Sequence, residues 1–251
     1  MSHTGDDSRG MSTRSRNAPL ADARSSDPVP ATSSKAELSA FLTATRRVAP
    51  SGGGGRLIFA LDATMSRQPT WDLACHLQAG LFEAASDIGG LAVKLVYFRG
   101  HNEARASRWV ADAATLTGVM QGISCHGGLT QIGKVLDHAE REAAKAPVAA
   151  LVYVGDAMEE SIDTLCDKAG RLALRGTRAF MFLEGRDPAA ERAYREIARI
   201  TGGVFLPFDP RAAAELRALL SAIGAFAAGG RAALEASGTA AARQLLADLR
   251  P

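Results

Sequence analysis

Five short apolar runs, separated by helical patterns, constrain the fold of this chain more than any other feature. Each run is nearly continuously apolar and rich in Val, Ile, Leu and Phe, which is typical of strands buried on both faces. The runs cover residues 57–61, 91–98, 148–154, 178–183 and 204–208. Strands that alternate with helices predict right-handed crossovers, and therefore a doubly wound α/β fold with a mostly parallel central sheet and helices on both faces.

Apolar residues at helical spacing lie between and after these runs. They predict helices around residues 71–82, 132–139, 165–172, 194–200 and 216–223. The stretch 104–110, which contains Trp109, predicts an additional edge strand that pairs antiparallel with the second strand.

The two ends of the chain differ in composition from its middle. Residues 1–33 have almost no large apolar side chains, so we expect them to be disordered. Residues 34–55 are predicted to form a short helix, which begins at a Ser34–Glu37 capping box, and a glycine-rich linker. We place the folded domain at residues 56–228 and a helical C-terminal tail at residues 229–251.

Composition excludes several classes of protein. The 29 basic and 27 acidic residues are interleaved and the net charge is +2, so we expect no nucleic-acid partner. No stretch approaches the roughly 20 apolar residues that a membrane span requires, so we expect no membrane association. The 3 cysteines include no C-x-x-C pair, which favours a reducing compartment over a disulfide framework. These features together predict a soluble cytoplasmic protein.

Oxygen-bearing side chains follow two of the predicted strands and precede a predicted helix. Asp62, Thr64 and Ser66 come directly after the first run, and Asp156 follows the run 148–154. Thr130 follows two glycines and a leucine just ahead of a helix. Because the carboxyl ends of parallel strands meet at one edge, we expect the two aspartates to lie close together. Carboxylates and hydroxyls are the hard oxygen donors that Mg²⁺ accepts most readily.

The motifs D-x-T-x-S at 62–66, G-x-T at 128–130 and G-D at 155–156 together resemble the von Willebrand factor type A (VWA) domain and its metal-ion-dependent adhesion site (MIDAS). The resemblance covers roughly residues 56–228. It implies a Rossmann-like VWA fold of the bacterial intracellular type, whose members act as adaptors in assemblies.

The resemblance also implies a set of metal ligands. Ser66, Thr64 and Thr130 would approach the cation directly or through water, while Asp62 and Asp156 supply the charge. The implied ion is Mg²⁺, with Mn²⁺ and Ca²⁺ as alternatives. One coordination position would stay open for an acidic residue of a partner protein, so the resemblance implies metal-dependent protein–protein interaction and no enzymatic activity.

The sequence departs from the family pattern beside the last aspartate. The family commonly has threonine before it and glycine after it, whereas this chain has Gly155 and Ala157. Arg67 directly follows Ser66, and its charge is expected either to pair with an acidic group or to weaken metal affinity.

Each of these side chains also has a simpler interpretation. Asp62, Thr64, Ser66 and Thr130 all stand where helix N-caps occur, and an N-cap needs no ligand. Asp156 is equally consistent with a solvated carboxylate at a strand end. Only the combination of the three motifs favours a metal site.

An enzyme is the alternative function. An aspartate after the first strand, Lys134 and the later Gly-Asp also resemble Mg²⁺-dependent haloacid-dehalogenase-type phosphohydrolases, with Asp62 as the nucleophile. Those enzymes usually carry an acid two residues after the nucleophile, and this chain has Thr64 there. We therefore favour the binding module.

Two other groups of side chains have a structural interpretation. The pairs Cys75-His76 and Cys125-His126 contain zinc-ligand types, but adjacent residues on a helix point about 100° apart, so we expect Cys75 in the core and His76 at the surface. Three acidic residues fit the first turn of a helix, where the dipole favours negative charge. They are Glu159, Glu160 and Asp163.

Overall fold

The computed structural model describes residues 54–64, 68–83, 85, 90–209 and 212–249. The predicted disordered segment, the predicted helix after residue 33 and the site residue Ser66 lie outside these ranges. The described part forms six strands and eight helices in a doubly wound α/β arrangement, as predicted.

The six strands form one sheet in the order β3-β2-β1-β4-β5-β6. All neighbouring strands are parallel except β2 and β3, which are antiparallel. The predicted parallel strands and the predicted antiparallel edge strand are therefore confirmed. The strands are β1 Gly55–Asp62, β2 Leu91–Arg99, β3 Glu103–Val110, β4 Ala150–Gly155, β5 Arg178–Glu184 and β6 Val204–Phe208.

The helices cover both faces of this sheet, and within the described residues none is long and apolar enough to cross a lipid bilayer. They are α1 Gln68–Leu77, α2 Ala79–Glu83, α3 Ala113–Gln121, α4 Ile132–Lys145, α5 Ile162–Leu174, α6 Pro188–Thr201, α7 Ala213–Ser237 and α8 Ala240–Asp248.

Two helical features differ from the sequence analysis. The single helix predicted at 71–82 is interrupted at Gln78, whose buried side chain donates to the carbonyl of Ala113 at 3.1 Å. The helix α3 was not predicted, although Asp112 caps it by accepting the N–H of Thr115 at 2.8 Å.

Residues of each central strand alternate between two hydrophobic clusters. In β1, Leu57, Phe59 and Leu61 pack in the cluster that includes α3 and α7, whereas Ile58 and Ala60 pack in the cluster that includes α4, α5 and α6. Both faces of β1 are thus removed from water. This burial explains why the strand reads as a continuous apolar run rather than an alternating one.

The predicted boundary after residue 228 falls inside a helix. The helix α7 continues to Ser237 with a kink at Gly230, whose φ is +68°. Beyond that kink, Leu234, Ala242 and Leu245 are fully buried in the same cluster as the core strands. The described residues beyond the kink are helical and pack on the domain.

Candidate metal centre

A cavity of about 260 Å³ lies at the carboxyl ends of β1 and β4. These strands are adjacent and parallel, with Leu61 opposite Val154, and the chain leaves β1 for β2 on the other side. Doubly wound sheets bind ligands in the crevice at such a change of direction. The described residues that line the cavity are Asp62, Thr64, Gly127, Gly128, Thr130, Asp156, Ala157 and Glu159.

The loop after β1 holds the first two predicted residues. Asp62 is only 2% exposed, and its Oδ1 accepts the backbone N–H of Thr64 at 2.7 Å. Such a side-chain bond to the backbone two residues on is a turn motif. The next described helix, α1, comprises Gln68–Leu77. The bond to Thr64 holds the Asp62 side chain at the carboxyl end of β1.

Backbone hydrogen bonds fix this loop on both sides. The N–H of Ala63 donates to the carbonyl of Phe98 in β2 at 2.9 Å. The carbonyl of Ala63 accepts the N–H of His126 at 2.9 Å, which ties it to the loop that precedes α4. Two of the three segments that line the cavity are thus joined directly.

The loop that carries Thr130 rests on the turn between β2 and β3. A Cβ at Gly128 would lie 2.1 Å from the carbonyl oxygen of Gly100, so only glycine permits this contact. The next N–H, of Leu129, donates to the same oxygen at 3.1 Å. The side chain of Leu129 remains 49% exposed between two residues of the cavity wall.

Thr130 is not a helix cap. The N-cap position of α4 belongs to Gln131, which makes no side-chain capping bond. The hydroxyl of Thr130 donates instead to Oε2 of Glu159 at 2.6 Å, and its backbone N–H donates to the same oxygen at 3.0 Å. The N-cap interpretation of Thr130 is therefore wrong.

Glu159 and Glu160 do not lie in the first turn of α5, contrary to the prediction. They precede its N-cap, Ser161, and only Asp163 lies in that turn. Glu160 accepts the N–H of Gly133 at 3.0 Å and also that of Ile132, so it caps the start of α4 from another loop. Burial raises the pKa of Glu160.

Two tyrosines account for Gly155, where the family has threonine. A Cβ at this position would lie 2.7 Å from Oη of Tyr194 and 2.8 Å from the ring of Tyr153. The hydroxyl of Tyr194 donates to the carbonyl of Ala157 at 3.0 Å, which holds the loop that carries the half-buried Asp156. Burial raises the pKa of Tyr153, and the neighbouring Tyr194 and Asp62 raise it further.

The donor set of the cavity suits a hard divalent cation. Three carboxylates and two hydroxyls line it: those of Asp62, Asp156 and Glu159, and those of Thr64 and Thr130. The part of the chain that the structure describes contains no group of three His, Cys, Asp or Glu side chains placed to hold a metal. A cation in this cavity would therefore be held by hydroxyl and water oxygens as well as carboxylates.

Two other sequence interpretations concern residues away from the cavity. Cys75 is buried and His76 is exposed, as predicted. Lys134, which the phosphohydrolase alternative includes, is not among the described residues that line the cavity. Its Nζ donates to the carbonyl of Asn102 at 3.0 Å and to Oε1 of Gln131 at 2.8 Å.

Comparison with known proteins gives a result only at the level of structure. No protein-family model and no curated protein matches the sequence. Proximal thread matrix protein 1 from the mussel byssus, solved with a zinc-occupied MIDAS motif, superposes with a TM-score of 0.55 at 16% identity, over 68% of this chain and 45% of that one.

Two further solved structures also superpose on this chain. The von Willebrand factor type A protein from Catenulispora acidiphila has a TM-score of 0.53 at 19% identity, over 69% of this chain and 43% of that one. The SpRpn10 VWA domain has a TM-score of 0.53 at 13% identity, over 66% of this chain and 95% of that one. At these identities the likeness concerns the fold. The chain therefore has the fold of a von Willebrand factor type A domain, as its motifs predict.

Proposed function

We propose that the protein is a metal-dependent protein–protein interaction module. In this proposal Asp62, Thr64, Ser66, Thr130 and Asp156 hold a divalent cation that bridges to an acidic residue of a partner. One observation carries it: carboxylates and hydroxyls from three separate loops line one cavity at the carboxyl edge of the sheet. Thr130 bonds to Glu159 and does not occupy the N-cap position of α4, which argues against the simplest competing interpretation of that residue.

The ion that we propose is Mg²⁺, with Mn²⁺ and Ca²⁺ as alternatives. The described donors are all oxygens, and hard cations that keep several waters accept such sets. The mussel protein with zinc in its MIDAS motif supports a divalent cation without deciding which one. When bound, the cation would supply an open coordination position for a carboxylate of the partner.

The rim of the cavity offers an apolar contact beside the metal position. Leu129 is 49% exposed and lies between Gly128 and Thr130 in the chain. Large side chains at the centre of an interface usually contribute more binding energy than its polar rim. We therefore propose that the partner places an apolar group next to its acidic residue.

We propose that the module is not an enzyme. A phosphohydrolase would need an acid near the leaving group, and Thr64 stands at the expected position. The amino group of Lys134 is engaged by Asn102 and Gln131, away from the cavity. No observation therefore favours the phosphohydrolase alternative.

We also propose that the protein acts in the cytoplasm, as an adaptor of the bacterial intracellular type. The cysteines Cys75, Cys125 and Cys166 are all free thiols, which is the state that a reducing compartment maintains.

Titration calorimetry of the full chain with Mg²⁺, Mn²⁺, Ca²⁺ and Zn²⁺ tests the proposal, together with affinity capture of partners with and without chelator. Thr130→Val keeps the shape of the side chain but removes its oxygen, so it should weaken metal binding at least tenfold and abolish capture. Thr164→Val, at an exposed position of α5, is the matched control and should change neither.

The contrary result is equally clear. An absence of binding heat and of any melting shift at metal concentrations in the millimolar range, with capture that ignores chelator, would reject the metal site. Hydrolysis of p-nitrophenyl phosphate that depends on both Mg²⁺ and Asp62 would instead establish the enzyme.

A further inference from the structure

We propose that Glu159 is a positioning residue of the metal site, which orients the Thr130 hydroxyl and adds negative charge at the cavity. Glu159 lines the cavity beside the predicted ligands, but no motif of the sequence assigned it to the site. The inference rests on the proposed metal site and adds a residue to it.

The bonds between Glu159 and Thr130 are reciprocal. Oε2 of Glu159 accepts both the hydroxyl proton of Thr130, at 2.6 Å, and its backbone N–H, at 3.0 Å. The backbone N–H of Glu159 in turn donates to Oγ1 of Thr130 at 3.3 Å. These three contacts leave the threonine hydroxyl little freedom to rotate.

The direction of the hydroxyl proton decides whether the oxygen can bind a cation. A threonine hydroxyl has one proton and two lone pairs, and a cation attracts the lone pairs and repels the proton. With the proton directed at Glu159, a lone pair of Thr130 is available to the cavity. The carboxylate thus sets, before any metal arrives, the orientation that ligation requires.

Glu159 also belongs to a link between two loops of the site. Its neighbour Glu160 accepts backbone N–H groups of Ile132 and Gly133 at the start of α4. Residues 159–160 therefore tie the loop that carries Asp156 to the segment that carries Thr130. Residues that hydrogen-bond to metal ligands in this way fix the orientation of those ligands. Their loss typically lowers metal affinity by about 10- to 100-fold.

A role in stability alone does not account for Glu159. The start of α4 is already capped by Glu160, and Glu159 is itself exposed. Within the part of the chain that the structure describes, its hydrogen bonds join it to Thr130, at the cavity. Its removal should consequently alter metal binding far more than the melting temperature in chelator.

Calorimetric titration of the full chain with Mn²⁺ and Mg²⁺ tests this inference. Glu159→Ala should weaken binding by roughly 10- to 100-fold. Glu159→Gln, whose amide oxygen still accepts from Thr130 but carries no charge, should fall between Glu159→Ala and the parent protein. Glu235→Gln, an exposed acid on α7 that pairs with Arg231, removes the same charge far along the chain and should leave the affinity unchanged.

A double-mutant cycle separates orientation from charge alone. In a Thr130→Val background there is no hydroxyl to orient, so Glu159→Ala should have a much smaller effect than in the parent protein. In a Thr130→Ser background, which keeps the hydroxyl, its full effect should return.

Three outcomes would overturn the inference, and they differ in what else they affect. Metal binding by the parent protein that Glu159→Ala leaves equal or tighter rejects the role of Glu159 and spares the proposed function. An undiminished effect of Glu159→Ala in the Thr130→Val background rejects orientation of the hydroxyl. No metal binding by the parent protein rejects both proposals.

Discussion

The two ends of α4 hold carboxylates in opposite electrostatic settings. At its start, Asp62, Asp156 and Glu159 line one cavity, and the described lining of that cavity includes no basic side chain. At its end, the carboxylate of Glu142 is surrounded by three cations of the fold itself. The comparison shows one carboxylate whose charge is matched by cations of the fold, and one cavity whose described lining combines carboxylates and hydroxyls, which are the donors that a hard cation accepts.

The cluster around Glu142 is saturated with donors. Its carboxylate lies 2.9 Å from Nζ of Lys94, 2.6 Å from Nζ of Lys145 and 3.5 Å from Arg56, and it accepts the indole N–H of Trp109 at 3.1 Å. Burial raises the pKa of Glu142, but the hydrogen bonds from Lys145 and Lys94 prevail and hold it at about 2.

The largest expected effect is the loss of folding stability when Glu142 is replaced. Glu142→Ala leaves the buried Lys94 and the half-buried Arg56 without their carboxylate, and should lower the free energy of unfolding by about 3–5 kcal/mol. Urea denaturation measures it. Glu140→Ala removes the exposed pair with Arg175 and should cost less than about 1 kcal/mol. Metal affinity should be the same in both variants, and a large loss of affinity in Glu142→Ala would break the comparison.

The stability that Glu142 contributes should also depend on pH. The pKa of Glu142 is lowered to about 2 from 4.5, so the folded state favours the charged form. Its contribution to stability is therefore complete above pH 4.5 and is lost as the pH falls towards 2. Urea midpoints measured across this window should fall more steeply for the parent protein than for Glu142→Gln. Parallel curves for the two proteins would contradict the assignment.

The second-largest effect is expected for Asp62→Asn, whose stability relative to the parent protein should depend on whether metal is present. Asp62→Asn removes one of three carboxylates from the cavity, so in chelator the protein should be equally stable or slightly more stable than the parent. With metal at a hundredfold its dissociation constant, the parent should gain about 2.7 kcal/mol and the variant almost nothing. Thermal melts with and without Mg²⁺ measure both. A variant that unfolds in chelator would show that Asp62 is structural.

The smallest effect concerns the surface around the cavity. Leu129 and Leu174 are the exposed large hydrophobic residues among the described ones, at 49% and 88%. Leu129 borders the cavity, whereas Leu174 ends α5 at the opposite edge of the sheet. Leu129→Ala should weaken partner capture by about 1–2 kcal/mol, and Leu174→Ala should not. Quantitative pull-down of both variants measures this, and equal capture would exclude Leu129 from the interface.

Apolar patterns in the sequence predicted secondary structure well where burial alone decides which residues are tolerated. The five apolar runs predicted β1, β2, β4, β5 and β6, because strands buried within a sheet need apolar side chains throughout, whereas the edge strand β3 was predicted from the separate stretch 104–110. The short helix α3 escaped prediction, although Leu116, Val119 and Met120 stand at helical spacing, because Gly118 and two threonines give the stretch a low helix propensity. Gln78 interrupts a helix through bonds to residues more than thirty positions away, which no local pattern contains.

The sequence by itself determined which segments are buried. It also determined that Asp62, Thr130 and Asp156 each stand at a turn, directly before or after a helix or strand. Only the tertiary structure decided what these side chains face. It places Asp62, Thr64, Thr130 and Asp156 around one cavity, adds Glu159 to them and assigns Glu160 to the start of a distant helix. The physical reason is that periodicity records contact with water or core, whereas hydrogen bonds and charge pairs between loops depend on where the sheet brings their ends together.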